Sequence, residues 1–501
     1  MTAETSNSAP LRFVFRGQPV SVTGAPATRS VLQWLREDAQ ACGTKEGCAE
    51  GDCGACTVLV AELAETVPAG SRAVLSEGLA IRPVNACIRF LPTLHGKALL
   101  TVEDLAQADG TLHPAQQAML DHHGSQCGFC TPGFVMTLSA EHERQACKNM
   151  SQGPCPGRVE LADALSGNLC RCTGYRPILD AAQAMLAQPT PRLPLAGLRE
   201  QLLALQAAPA APHSPRTLTE LATLRADKPA ARLVAGATDV GLWVTKQMRD
   251  LGELIFLGDV AELRRIEEDA GGLRIGAAVT LEDGWAALVA RWPSLSEMFR
   301  RFAGPPVRHA GTLVGNLANG SPIGDAPPAL MALGATLRLR RGEATRELPL
   351  QAFYLDYMKN QLQPGEFVES VQVPFTTLQL GWQVQAHKLS KRFDCDISAV
   401  SAGFALRLDG ETVAEAHLAF GGMAATVRRA AAVEAAIVGQ PWTEPTLRAA
   451  QAALAKDFTP LTDLRASADY RRLGAARLLE RLWLSTRPAD PVAVDQLRVW
   501  A

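Results

Sequence analysis

Eight cysteines fall into two groups of four whose spacing suits iron–sulfur chemistry. Cys48, Cys53, Cys56 and Cys87 read C-x4-C-x2-C…C, the spacing of a plant-type [2Fe–2S] site. Cys127, Cys130, Cys170 and Cys172 read C-x2-C…C-x-C, a second four-thiolate set. A cluster held by four thiolates is anionic and gains a further negative charge on reduction. The chain must therefore wrap it closely and aim backbone N–H groups at sulfur. Gly47, Gly51 and Gly54 stand between the first ligands, where a backbone tolerant of positive φ is needed. Zinc and disulfides are the competing chemistries. Zinc sites commonly pair two C-x2-C units, which the first group does not; the spacing of the second group alone also admits zinc. Its surroundings favour an anionic redox core. Cys130-Thr131-Pro132 reads as a capping Thr and a Pro at a helix start, so the thiolates meet the positive end of a helix. Arg171 lies between Cys170 and Cys172. Cys42, Cys147, Cys155 and Cys395 fit neither pattern and read as buried thiols.

The elements that must position these residues follow along the chain. Residues 11–24 read as a hairpin around Gly17, and Ser30 as the cap of a helix over Val31–Asp38. The cysteine loop 42–56 leads to a strand at Thr57–Leu63, with further short strands to residue 102. Helices are expected at 113–122, 132–146, 158–166 and 177–186, the last with Pro177 at a position that needs no backbone donor. A Pro- and Ala-rich stretch around a short helix at 198–206 reads as a linker. Strands and helices then alternate: strands at 232–236, 273–278, 399–408 and 416–420, helices at 427–438, 444–455 and 474–484.

Composition narrows the classes. A chain of 501 residues exceeds one ordinary core. With 47% hydrophobic and 20% charged residues it is globular rather than disordered. Lys and Arg number 49 against 51 Asp and Glu, which gives no electrostatic footprint for nucleic acid or an anionic membrane. No apolar run approaches the ~20 residues needed to span a bilayer, and the N-terminal residues lack the basic and apolar segments of a leader. Twelve cysteines without an export signal suit metal ligands in a reducing cytoplasm.

Two further stretches bear on a cofactor. Arg232-Leu-Val-Ala-Gly-Ala-Thr-Asp239 is a strand ending in small residues, a turn whose N–H groups can reach a phosphate. Gly311-Thr-Leu-Val-Gly-Asn-Leu-Ala-Asn-Gly-Ser-Pro-Ile-Gly-Asp325 reads as a small-residue loop. Each alone is equally a ligand-free turn.

Cys48–Cys56 with Asn85-Ala-Cys87, then Gln126-Cys-Gly-Phe-Cys-Thr-Pro-Gly133, then Gly167-Asn-Leu-Cys-Arg-Cys-Thr-Gly-Tyr-Arg-Pro177, resemble the iron–sulfur portion of the molybdenum hydroxylases. The resemblance covers nearly all of residues 10–435. It implies a multidomain α+β chain. A β-grasp [2Fe–2S] ferredoxin domain (10–100) and a four-helix [2Fe–2S] domain (101–190) come first. A linker (191–215), an α/β FAD-binding domain (216–385) and a small C-terminal α/β domain (386–501) follow. It further implies that Gly236, Ala237, Thr238 and Asp239 hold the FAD diphosphate. Thr312, Gly315, Asn316, Asn319 and Asp325 would extend that cradle, and Tyr354, Lys388 and Asp396 would lie near the flavin. Ala237 and Val314 stand where the family commonly has glycine.

The family's molybdopterin-binding portion would follow residue 501, so the resemblance implies a separate large subunit in an α2β2 heterotetramer. The fused iron–sulfur and FAD order implies the xanthine dehydrogenase branch of the family. Electrons would leave a purine at the partner's molybdenum and pass through both clusters to FAD and then NAD+, turning hypoxanthine and xanthine into urate. No residue of this chain would hydroxylate the substrate. The alternatives are the same subunit of an aldehyde- or N-heteroaromatic-oxidising relative, or a standalone iron–sulfur flavoprotein reductase.

Overall fold

The computed structural model describes residues 10–150, 154–207 and 213–497. The remaining residues, which include the N-terminal nine read above for a leader and part of the Pro/Ala-rich stretch, lie outside the described residues. The chain divides into two units. The first comprises Met1–Arg265, Ala278–Asp283 and Ala303–Thr312; the second comprises Ile266–Ala277, Gly284–Phe302 and Leu313–Ala501.

The first unit is built on a six-stranded mixed sheet. Its strands are β1 (Leu11–Phe15), β2 (Gln18–Val22), β3 (Thr57–Leu63), β4 (Val74–Ser76), β5 (Leu79–Asn85) and β6 (Ala98–Leu100), in the order β2-β1-β6-β3-β5-β4. The hairpin β1–β2 pairs Leu11 with Val22, and β1 runs parallel to β6. Successive side chains of a strand point to opposite faces, and β3 uses both. Val58 and Val60 join one core with Phe13, Phe15, Val31 and Leu35. Leu59, Ala61 and Leu63 join a second core with helix residues such as Phe134, Leu138 and Ile178. A near-continuous apolar run with no polar face is what a doubly covered strand requires.

Over the first core, Ser30 caps as expected: its hydroxyl accepts from the Gln33 N–H while Gln33 returns a bond to the Ser30 N–H. The helix is not uniform, however. It is regular only at Val31–Gln33 and widens into a π turn over Trp34–Asp38, closed by the Ala39 N–H on the Trp34 carbonyl. The wider turn brings the consecutive residues Trp34 and Leu35 both into the core, with Trp34 edge-on to Phe13 and Phe15 at 4.9 and 5.2 Å.

Over the second core pack helices Pro114–Asp121, Thr131–Met150, Arg158–Ala164 and Arg176–Met185. The last buries Ile178, Ala181, Ala182 and Met185, one stripe at helical spacing. Residues 193–205 continue this core through Leu193, Leu195, Leu198, Leu202 and Leu205, so that stretch is strapped to the sheet. Arg192 anchors it to the fully buried Glu143 at 3.2 Å. A short parallel pair, β7 (Arg232–Val234) and β8 (Leu254–Phe256), completes the unit.

The second unit holds an antiparallel five-stranded sheet: β9 (Ile266–Asp269), β10 (Gly272–Gly276), β11 (Thr336–Arg341), β12 (Ala344–Pro349) and β15 (Phe367–Pro374), in the order β12-β11-β15-β10-β9. A two-stranded hairpin, β13 (Tyr354–Asp356) with β14 (Lys359–Asn360), precedes β15 in the chain. A second sheet, β16 (Trp382–Leu389), β17 (Val400–Asp409), β18 (Thr412–Gly421) and β19 (Arg428–Arg429), packs helices Ala431–Ile437, Glu444–Asp457 and Ala468–Thr486 on its apolar side. No helix among the described residues is long and apolar enough to cross a membrane.

Candidate functional site

The first cysteine set is assembled by strand pairing. Cys48, Cys53 and Cys56 share one loop, but Cys87 is distant in sequence. β3 pairs with β5 in the register Thr57↔Asn85, and the Ala86 N–H reaches the Cys56 carbonyl at 3.1 Å. Cys87 is thereby carried to Cys56. The sulfurs form one connected run: Cys48 hydrogen-bonds Cys53 and Cys87, and Cys87 in turn hydrogen-bonds Cys56. Cys48 is held far below the usual thiol range by the Cys53 and Cys87 thiols, with the Cys53 and Glu50 N–H groups at 3.3 and 3.5 Å. Cys56 is lowered by the Cys87 thiol, with Asn85 Nδ2 at 3.9 Å. Cys53 and Cys87 are raised, chiefly as hydrogen-bonding partners of Cys48 and then by burial. Binding of metal would displace the thiol protons.

Gly51 and Gly54 adopt φ of +80° and +69°, as the loop needs. Gly47 does not have positive φ. It is glycine for room: a Cβ there would lie 2.9 Å from the Cys53 sulfur. Ala49 takes the left-handed position instead, at φ 52°.

The second set associates in twos. Cys172 and Cys127 approach to 3.5 Å, and Cys130 hydrogen-bonds Cys170. Burial, then Cys170, pushes Cys130 up to about 12. Burial works against ionising Cys170, but the Thr173 hydroxyl at 3.3 Å and backbone N–H groups hold it below the usual thiol range. The Phe129 N–H lowers Cys127, whereas the hydrogen bond to Cys127 raises Cys172. Cys130 immediately precedes the helix Thr131–Met150. It is therefore Cys130, not Thr131, that stands at the cap position; Thr131 is the first helical residue and its hydroxyl donates to Ser125 at 2.7 Å. Arg171 is exposed.

Among the described residues, no three His, Cys, Asp or Glu side chains gather around one ion position. The two pairs of the second set, Cys127 with Cys172 and Cys130 with Cys170, suit a two-iron core better than a single zinc, which draws its ligands to one centre.

The two loops meet backbone to backbone. The Leu169 N–H donates to the Cys53 carbonyl at 2.9 Å, directly linking a ligand of one set to the neighbour of Cys170 in the other. Asn168, only 2% exposed, donates to the Gly54 carbonyl at 3.1 Å and to Thr57 at 3.2 Å, and accepts from Thr137 at 2.8 Å. There is no space for side chains at this seam. A Cβ on Gly54 would lie 2.2 Å from the Gly167 carbonyl oxygen, and one on Gly133 would lie 2.1 Å from that of Gly54. Asn168, Thr173 and Tyr175, whose hydroxyl accepts from the Cys170 N–H at 3.1 Å, were not singled out by the sequence reasoning. Adjacency to a ligand was their only signal.

The expected flavin residues divide between the units. In the first, Gly236 packs so closely that a Cβ would fall 2.0 Å from the Ala310 carbonyl oxygen and 2.6 Å from Gly311 Cα. This brings Gly236, Ala237 and Thr238 beside Gly311 and Thr312. Ala237 holds φ 61°, a left-handed geometry costing about 1–2 kcal/mol for a residue with a Cβ. Asp239 caps the helix Val240–Thr245 in position. This segment abuts the first cysteine loop: Thr245 donates to the Ala49 carbonyl at 2.7 Å, and a Cβ on Gly241 would strike the Ile88 carbonyl at 2.5 Å.

In the second unit, residues 313–319 are not a loop. Leu313–Asn319 is helical because Leu313, Val314 and Leu317 form a buried stripe, which also explains a valine at position 314. Gly315, Asn316 and Asn319 ride on this helix. The Asn316 Oδ1 is buried without a hydrogen-bond partner, an acceptor awaiting a donor. The Tyr354 hydroxyl donates to the Leu317 carbonyl at 3.0 Å, and burial raises its pKa. Lys388 and Asp325 form a buried ion pair at 2.7 Å, and Ser398 donates to the same carboxylate at 2.6 Å. Asp396 does not join them. It turns into its own loop, accepting from the Arg392 and Ile397 N–H groups at 2.8 and 3.0 Å. Ser398, two residues on, carried no local signal because its partner lies far away in sequence. In the first unit the close-packed Gly236 and Gly311 keep the backbone free of side chains, as a phosphate-binding turn requires; the eight thiols fit two iron–sulfur clusters.

Comparison with known proteins agrees with this geometry. Residues 13–90 match the family described as 2Fe-2S iron-sulfur cluster binding domain, and 101–183 match the [2Fe-2S] binding domain family. Residues 208–376 match the FAD binding domain in molybdopterin dehydrogenase, and 385–486 match the CO dehydrogenase flavoprotein C-terminal domain. The chain is 32% identical to a xanthine dehydrogenase of Emericella nidulans over 89% of its own length and 36% of the relative's. It is 33% identical to one of Drosophila subobscura, over 88% and 36% respectively. It thus spans about a third of the length of these curated relatives. Among solved structures, a carbon monoxide dehydrogenase from Hydrogenophaga pseudoflava superposes with a TM-score of 0.51 at 29% identity, covering 54% of this chain and 94% of that one. Quinoline 2-oxidoreductase from Pseudomonas putida 86 does so with a TM-score of 0.50 at 25% identity, over 56% and 97%.

Proposed function

This chain belongs to the molybdenum hydroxylase family as its iron–sulfur and flavin portion, and from that premise we propose that it is the electron-transfer subunit of a xanthine dehydrogenase. A molybdopterin-binding partner would oxidise hypoxanthine and xanthine to urate, and NAD+ would be the final acceptor. When bound, the clusters carry electrons singly, and a flavin accepts them singly and passes them on as a pair. Cys127, Cys130, Cys170 and Cys172 hold the cluster on the partner's side of the relay. Cys48, Cys53, Cys56 and Cys87 hold the one nearer FAD. Gly236, Ala237, Thr238 and Asp239, with Thr312, would hold the phosphates of the dinucleotide.

The observation that carries this reading is the middle position of the first cysteine loop. On one side its Cys53 carbonyl accepts from Leu169, beside Cys170; on the other its Ala49 carbonyl accepts from Thr245, on the helix after the first flavin loop. A relay needs one cluster between the other cluster and the flavin. Cysteines that form no disulfide suit a cytoplasmic site.

The test is to purify the chain with and without a copurifying molybdopterin subunit. The complex should reduce NAD+ with xanthine, and the chain alone should not. Xanthine-dependent NAD+ reduction by the chain alone would refute the partner assignment. A second reading, a subunit serving an N-heteroaromatic or another non-purine substrate, is favoured by the likeness to the quinoline and carbon monoxide enzymes. A complex that oxidises quinoline but not xanthine would establish it.

A further inference from the structure

A cavity of about 70 Å³ lies inside the first unit, against Gly236 and Thr312. Four cationic side chains line it: Arg82, Arg89, Lys97 and Arg264. Three carboxylates answer them. Asp283 pairs with Arg82 at 2.7 Å, Glu62 with Arg264 at 2.7 Å and Asp259 with Lys97 at 3.3 Å. Arg89 makes no ion pair among the described residues; Glu62 and Asp259 act on it only from further off. Its one hydrogen bond goes to the Thr93 carbonyl at 3.5 Å, and its Nε is buried with no partner. The Arg82 Nε makes no hydrogen bond but faces the Glu62 carboxylate at 3.8 Å. His309, also lining the cavity, is held neutral by burial and adds no further positive charge. A guanidinium is not deprotonated in proteins, so Arg89 is cationic. The cavity therefore carries one positive charge in excess, where water screens it poorly.

A buried water needs about 10–15 Å³, so the space takes roughly five waters or one tetrahedral oxyanion. Waters would satisfy the orphaned Arg89 Nε but leave the charge. We propose that this cavity is a binding site for a phosphate-type oxyanion, with Arg89 as its counter-charge and donor. The anion has two possible sources: free inorganic phosphate, or a phosphate of the dinucleotide whose loop begins at Gly236. The second source rests on the flavin reading given above; the first does not.

The test uses the full chain, with cluster absorbance as the check on folding. Its unfolding midpoint is measured in inorganic phosphate against chloride at equal ionic strength, FAD-loaded and after FAD removal. Phosphate should raise the midpoint in a saturable way, as any ligand of the native state does. Arg89→Lys should keep a reduced rise and Arg89→Gln should lose it. A rise in the FAD-loaded chain identifies free anion as the occupant. A rise confined to the FAD-stripped chain, together with FAD loss in Arg89→Gln, identifies the cofactor's phosphate. If the chain binds no FAD, the flavin reading fails, yet an Arg89-dependent rise still establishes the anion site. No phosphate-specific rise in either form, or an equal rise in Arg89→Gln, overturns it.

Discussion

Asn168→Ala should loosen the seam between the two cysteine loops without removing a ligand. The side chain makes three hydrogen bonds, to Gly54, Thr57 and Thr137. The groups left behind have other partners. The Gly54 carbonyl keeps the Thr57 N–H at 3.0 Å and the Thr57 hydroxyl at 2.7 Å, and the Thr137 hydroxyl keeps the Gly133 carbonyl at 3.3 Å. No group is orphaned, so the larger penalty for a buried unpaired group does not apply. Three net hydrogen bonds at about 0.5–1.5 kcal/mol each give a loss of about 1.5–4.5 kcal/mol. At about 2–4 °C per kcal/mol for a unit of this class, the midpoint should fall by roughly 3–18 °C. Thermal unfolding would be followed anaerobically by far-UV circular dichroism and by cluster absorbance, with iron content measured beforehand. Unchanged iron and a lowered midpoint are expected. A midpoint within about 1 °C of wild type would show that these bonds contribute nothing net. Loss of iron from one set would show that Asn168 shapes the ligands rather than the seam.

Cys130→Ser should halve the iron content and remove one of two reduced-cluster EPR signals; survival of both would sink the second ligand set. Asp325→Ala strands the Lys388 charge, 2% exposed, and should cost about 3–5 kcal/mol in denaturant unfolding. Adding Lys388→Met should recover part of that loss, and a single-mutant cost below about 1 kcal/mol would mean the pair is effectively solvated. Gly236→Ala drives a Cβ to 2.0 Å from the Ala310 carbonyl, so FAD content should fall, and full flavin occupancy would disprove this loop's role. His113 is pulled from an ordinary 6.5 to about 3 by burial and by neighbouring His142. Between those values the unfolded chain binds a proton that the native chain refuses, so stability should rise with pH across that window. His113→Asn should flatten the rise, and an already flat wild-type profile would contradict the assignment.

The cysteine sets were readable because ligand spacing is a local property. A C-x4-C-x2-C loop with glycines at 51 and 54 constrains its own backbone whatever surrounds it, and Ser30, Pro177 and the stripe Ile178–Met185 act within a turn or two. The reading failed where local composition misled. Small and polar residues at 311–325 suggested a loop, but burial of Leu313, Val314 and Leu317 makes most of it a helix. Gly47 looked like a positive-φ residue and proved to be a space beside the Cys53 sulfur.

The sequence by itself determined the ligand types, the two-cluster chemistry and the apolar faces of individual strands and helices, because sterics and periodicity act between near neighbours. Only the tertiary structure decided which distant groups meet: Cys56 with Cys87 through the β3–β5 register, Leu169 with Cys53, Asp325 with Lys388 and Ser398 rather than Asp396, and Arg89 with no ion pair among the described residues. A buried charge or thiolate is costly unless paired, and the pairing depends on how the whole chain packs.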